Sequence, residues 1–125
     1  MSDEAMLERQ YALFLQTLNA NDMPAASGHL QTLQAQMQPD SLLRLRAEAW
    51  FAVRSGDNAL ARLRYQAVLE RVPGDEGASI NLASIESRSD KRELARQILG
   101  DALRVNPDSD AIRDALFRFK GPAGN

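Results

Sequence analysis

Apolar residues recur along this chain at the helical interval, in pairs of stripes separated by short polar breaks. Leu7, Tyr11, Phe14, Leu15 and Leu18 follow an i, i+4, i+7, i+8, i+11 order, which places them on one face of a helix. After Asn21-Asp22, a second stripe runs through Ala26, Leu30, Leu33 and Met37. The pattern resumes from Leu42 to about Ser55, breaks at Gly56-Asp57, and continues with Ala61, Tyr65, Val68 and Val72. A third pair holds Ile80, Leu82, Ala83 and Ile85, then Leu94, Ala95, Ile98, Leu99, Ala102 and Val105 beyond the Ser89-Asp90 break. No segment alternates strictly with β-branched residues, so the pattern predicts an all-α fold.

These pairs obey a fixed period. Pro39, Pro73 and Pro107 stand 34 residues apart, and the same shift superimposes Asp22 on Gly56 and Asp90, and Ser27 on Ala61 and Ala95. It also superimposes Ala35 on Leu69 and Leu103. A period of this size marks a stacked array in which each unit buries its apolar face against its neighbours. The units are 8–41, 42–75 and 76–109. Each proline ends a second helix, near Met37, Arg71 and Val105, because it lacks an N–H and biases the preceding residue away from the helical region. Asp57 and Asp90 are expected N-caps, with Glu93 completing a capping box after Asp90.

Past the third unit, Ser109 or Asp108 caps a last helix over 109–119. Ile112, Ala115, Leu116 and Phe119 form its apolar face, with Arg113, Asp114, Arg118 and Lys120 on its polar one. Residues 121–125 read as a flexible tail. The helix over 76–88 is rich in poor helix formers (Gly77, Ser79, Asn81, Ser84, Ser87). Each costs roughly 0.5–1 kcal/mol against alanine. Neighbouring helices must therefore hold it, and it is expected to be the most labile element.

Composition narrows the picture. The 125 residues suit one domain over 1–120, and 44% hydrophobic with 26% charged residues is the balance of an ordinary globular chain. The absence of cysteine excludes disulfides and thiolate chemistry. The net charge of −2 is uneven: residues 1–40 carry −4, residues 41–72 carry +3 and residues 73–125 carry −1. The basic middle is too weak for a nucleic-acid footprint. Met1-Ser2-Asp3-Glu4 is acidic where a secretory signal is basic, and no apolar run of about 18 residues follows anywhere. A cytoplasmic protein without membrane insertion is the expectation, or a periplasmic one if the chain is a domain of a longer protein.

Two helices in 34 residues, small residues at Ser27, Ala61 and Ala95, alanines at Ala49 and Ala83, Tyr65, and the closing prolines resemble the tetratricopeptide repeat family. The resemblance covers about residues 8–109. The middle and third units match best and the first is degenerate. The tryptophan usual early in the family's first helix is replaced by Tyr11, Leu45 and Ser79. The resemblance implies a right-handed superhelix of three helix-turn-helix repeats plus a C-terminal capping helix. In the family, the first helix of each pair lines a concave groove.

Mapped here, that groove draws on Arg9, then Leu43, Arg46, Trp50, Val53 and Arg54, then Ile80, Ser84 and Arg88. Arginine forks would pair with carboxylates of a partner segment, and Trp50 with its apolar neighbours would hold its side chains. Against this, Trp50 can simply pack between helices, and an excess of thirteen arginines over two lysines can be compositional. The family's carboxylate clamp is not expected, since its positions fall on Ala12, Gln16, Ala47, Gly77 and Asn81 and lack cations. The expected function is a non-enzymatic protein-interaction module, an adaptor, scaffold or co-chaperone holding an extended or helical, acidic and apolar segment. The alternatives are a chaperone like those of type III secretion translocators, or a self-associating subunit using Met6 and Leu13 in a homodimer. No cofactor or metal is expected. His29, the one histidine, has no second ligand nearby and is expected in solvent.

Overall fold

The computed structural model describes residues 3–120; the tail expectation for residues 121–125 lies outside them. Among the described residues there are seven helices and no strand: α1 (Asp3–Asn19), α2 (Met23–Gln36), α3 (Leu42–Ser55), α4 (Asn58–Arg71), α5 (Glu76–Arg88), α6 (Arg92–Val105) and α7 (Asp110–Lys120). The described residues fall into two compact units that divide between Ala61 and Arg62, within α4.

Each proline turn ends in the same device. The N–H groups of Ser41, Asp75 and Ser109 donate to the carbonyls of Gln38, Val72 and Asn106 at 3.0, 3.1 and 3.1 Å, closing a β-turn around the proline. The same three residues then cap the next helix. Their side chains accept from the N–H of Arg44 (3.2 Å), Ala78 (3.0 Å) and Ile112 (3.1 Å), offsetting one of the donors a helix start leaves unpaired. Ser109, rather than Asp108, is thus the cap of α7. Of the three turns, only the one with Gly74 takes a positive φ, 83°. A Cβ on Gly74 would stand 3.0 Å from Val105 Cβ and Cγ1.

The breaks inside each helix pair fall where expected, and the third differs from expectation in its cap. Each requires one residue in the left-handed region, and these are Asn21 (φ 60°), Gly56 (φ 82°) and Asp90 (φ 68°). The following N–H in each case reaches back to the last turn, as with Asp57 to Ala52 O at 2.8 Å and Lys91 to Glu86 O at 2.8 Å. Asp22 and Asp57 do cap, accepting from Ala25 N at 3.3 Å and Leu60 N at 3.2 Å. Asp90 does not. It fills the left-handed position instead, which moves the α6 cap to Lys91, where no side-chain bond forms. The expected capping box with Glu93 is therefore absent, and Glu93 pairs with Arg96 at 2.5 Å.

In the first unit, Phe14, Leu18, Ala26, Leu30, Leu33 and Ala47 form a buried cluster from α1, α2 and α3. Full burial of such side chains is worth about 1.5–3 kcal/mol each for the larger ones. In the second unit, Ala83, Ala95, Leu99, Ala102, Ile112 and Ala115 do the same from α5, α6 and α7. Helix α5 buries Ala78, Ser79, Leu82, Ala83, Ile85 and Glu86. That burial is what overrides its weak propensity. Ser79 also donates its hydroxyl to Asp75 O at 2.6 Å, and Asn81 donates to the Tyr65 hydroxyl at 3.0 Å.

Candidate functional site

Spacing along α3 sets Leu43, Arg46, Trp50, Val53 and Arg54 on one side of the helix. Leu43 is exposed at 47%, while Arg46, Trp50 and Val53 are half-buried. Trp50 leans on the cluster of the first unit, and its ring lies 6.4 Å from that of Tyr11 on α1, tilted by 57°. Tyr11 in turn stands 6.2 Å from Phe14. Such tilted contacts avoid the unfavourable face-to-face stack and lie within the centroid distances at which aromatic rings attract. Packing of Trp50 and service in a site are thus compatible: part of the indole is anchored and part reaches solvent.

Arg46 lies close enough to Tyr11 to bear on its ionisation. Burial pushes the Tyr11 phenol up to about 12, with the Arg46 charge pulling the other way. The phenol is therefore a neutral hydrogen-bonding group at physiological pH, beside a guanidinium and an indole. Arg9, two residues before Tyr11 and so on another side of α1, is exposed and is not brought into this patch. Together, Tyr11, Arg46 and Trp50 make an amphipathic patch on α1 and α3, suited to an apolar side chain flanked by a carboxylate. Tyr11 was not among the predicted site residues. Its place in the apolar stripe identifies it as core, and only the ring contact with Trp50 brings it into the patch.

Arg54 belongs elsewhere. Its Nη1 donates to Leu18 O at 3.2 Å, a second bond on a carbonyl at the end of α1 that also accepts from Asn21 N at 3.0 Å. Other arginines serve helix ends in the same way: Arg44 Nη1 donates to Gln34 O and Met37 O, both at 2.9 Å. Arg96 and Arg92 donate to Phe119 O at 3.2 and 3.4 Å. Part of the arginine excess is accordingly structural. In the second unit, Ile80 is half-buried against the cluster there, Ser84 is half-buried, and Arg88 is exposed in the last turn of α5.

Two polar clusters escaped the sequence reading. Glu48, 7% exposed, accepts from Arg44 Nε at 3.1 Å and Gln34 Nε2 at 2.8 Å. Glu86, 3% exposed, accepts two bonds from Arg62, at 3.0 and 2.9 Å. Its hydrogen bonds raise the Arg62 pKa further above its usual value. Both glutamates are fully partnered, so they act as structural bolts. His29 is half-buried rather than in solvent, and its Nδ1 accepts from Gln10 Nε2 at 2.6 Å.

Among the described residues, no three of His, Cys, Asp or Glu come together as a metal site, and no helix is long and apolar enough to cross a membrane. Two open hollows, of about 320 Å³ at Asp3, Met6, Leu7 and Gln36 and about 250 Å³ at Leu69, Pro73, Val105 and their neighbours, contain none of the predicted site residues.

No protein-family model and no curated protein matches the sequence. Among solved structures, a mutant of the O-GlcNAc transferase of Thermobaculum terrenum is similar, with a TM-score of 0.76 over 96% of this chain at 19% sequence identity. The chain spans 23% of the length of that structure. At this identity the likeness establishes the fold, an all-α array of helical repeats.

Proposed function

We propose that the chain is a tetratricopeptide-type protein-interaction module without catalytic activity of its own. It holds a short partner segment on the α1–α3 face of its first unit. The observation that carries this reading is the half-buried Trp50, braced by Tyr11 and flanked by Arg46, with Leu43 exposed on the same side of α3. Tryptophan, tyrosine and arginine are the side chains that most often supply interface energy. An anchored ring loses little entropy when a ligand covers it. The bound segment pairs an apolar side chain for the indole with a carboxylate for Arg46. The buried carboxylates are taken up by their partners, Glu48 by Arg44 and Gln34 and Glu86 by Arg62, which supports a binding rather than a catalytic reading. An adaptor or co-chaperone role, in the cytoplasm or beside a secretion apparatus, agrees with these features.

Affinity capture from native lysate, read by mass spectrometry, tests the proposal. Wild type is compared with Trp50→Ala/Arg46→Glu; Arg54 is left intact because it closes α1. A protein retained by wild type and lost by a variant with unchanged helicity supports it. Identical captures by both would refute the α1–α3 assignment.

A further inference from the structure

Helix α7 stands where a first helix of a fourth repeat would begin, since Ser41, Asp75 and Ser109 cap α3, α5 and α7 after the three prolines. In the shared period, Phe117 occupies the place held by Ala49 and Ala83, both 0% exposed. Ala83 shares the second unit's cluster with Ala95 and Leu99 of α6, so the small side chain marks where a second helix packs closely. Phe117 is 77% exposed. A phenyl ring at this place holds off a helix at the spacing alanine permits. The face is thus shaped for a wider contact than the repeat itself makes.

Its charges indicate the occupant. Asp114 and Arg118 flank Phe117 on the exposed side of α7, one turn apart, and neither has an ion-pair partner among the described residues. Opposite charges at this spacing are self-complementary when two such helices run antiparallel about a two-fold axis. Asp114 then faces Arg118 of a second copy, Arg118 faces its Asp114, and the two Phe117 rings pack near the axis. We infer that the Phe117 face of α7 is a homodimer contact between two copies of this chain. One short helix per copy places it at the small end of specific interfaces, below about 1,200 Å², so association is weak and concentration-dependent.

Sedimentation velocity of the 125-residue chain at rising concentration tests this. From about 10 µM to about 1 mM, the mass is expected to rise from 13.8 kDa towards twice that value. Phe117→Asp abolishes the rise, and Asp114→Arg weakens association at least about tenfold by setting like charges opposed. The swap Asp114→Arg/Arg118→Asp restores it. Circular dichroism confirms that these surface variants keep their helices. A chain monomeric throughout overturns the inference, as does association that survives Phe117→Asp. A single charge change without effect overturns it too, because it confines the Asp114–Arg118 pattern to one helix.

Discussion

Removing Arg62 isolates one of the forces that keep α5 in place. In Arg62→Leu, the carboxylate of Glu86, 3% exposed, loses two charge-assisted hydrogen bonds of 3.0 and 2.9 Å. Bonds to charged groups contribute about 1.5–3 kcal/mol each, and stranding a fully buried charge costs about 3–5 kcal/mol. The Arg62 side chain is 28% exposed, so water screens the pair and replaces part of the loss. The expected destabilisation is about 2–3 kcal/mol. Urea unfolding followed at 222 nm reads it as a midpoint lowered by about 1.5–2 M, with an unchanged slope near 1.5 kcal/mol/M. Replacing both partners, in Arg62→Leu/Glu86→Leu, leaves no stranded charge and is expected to recover all but about 1 kcal/mol. An Arg62→Leu midpoint within about 0.3 M of wild type would refute the reasoning, because the pair would then be a surface contact of little consequence.

Glycine positions separate strain from propensity. Gly74→Ala combines a positive φ of 83° with a Cβ 3.0 Å from Val105 and should cost about 2–3 kcal/mol. Gly56→Ala, at φ 82° in open space, should cost only about 1 kcal/mol. Equal midpoints for the two in urea would contradict the close approach. Gly28→Ala and Gly100→Ala, both inside helices with nothing within 4 Å of the added Cβ, should each stabilise by about 0.5–1 kcal/mol in the same assay. Alkaline pH tests Tyr65, whose phenol burial pushes up to about 12 from 10.0, against the opposing Asn81 bond. Above the unfolded value the unfolded chain has shed this proton while the folded chain keeps it, so stability falls as pH rises from 10 to 12. Wild type should lose about 1–2 kcal/mol more than Tyr65→Phe over that window; parallel losses would place the phenol in water.

Much of the array is legible in the sequence because helix ends and core stripes each rest on one strong signal. The prolines stop α2, α4 and α6 within a residue of Met37, Arg71 and Val105, and the stripes through Phe14, Leu30, Tyr65 and Leu99 are buried. The breaks were less legible because Asp and Asn suit both the N-cap and the left-handed position. Asp22 and Asp90 coincide in the 34-residue period yet do different jobs, and Asn21 supplies the left-handed residue in the first pair. Arginine hides its role for a similar reason. A fork that could grip a partner's carboxylate serves equally well to close a helix end, as Arg54 does on Leu18 O. Glu48 and Glu86 read as solvated charges until their partners are seen. Trp50 was found from its place among the arginines of α3; Tyr11 needed the contact between helices.

Trp50 is the chain's single tryptophan, so its fluorescence reports on the proposed face alone. The decisive measurement is titration of the captured partner segment while recording emission and iodide quenching. A covered indole shifts to the blue and loses quencher access, and Arg46→Glu, which keeps the fluorophore, shows neither change at the same partner concentration. Tight binding with emission and quenching unchanged would contradict the account and move the partner to another surface.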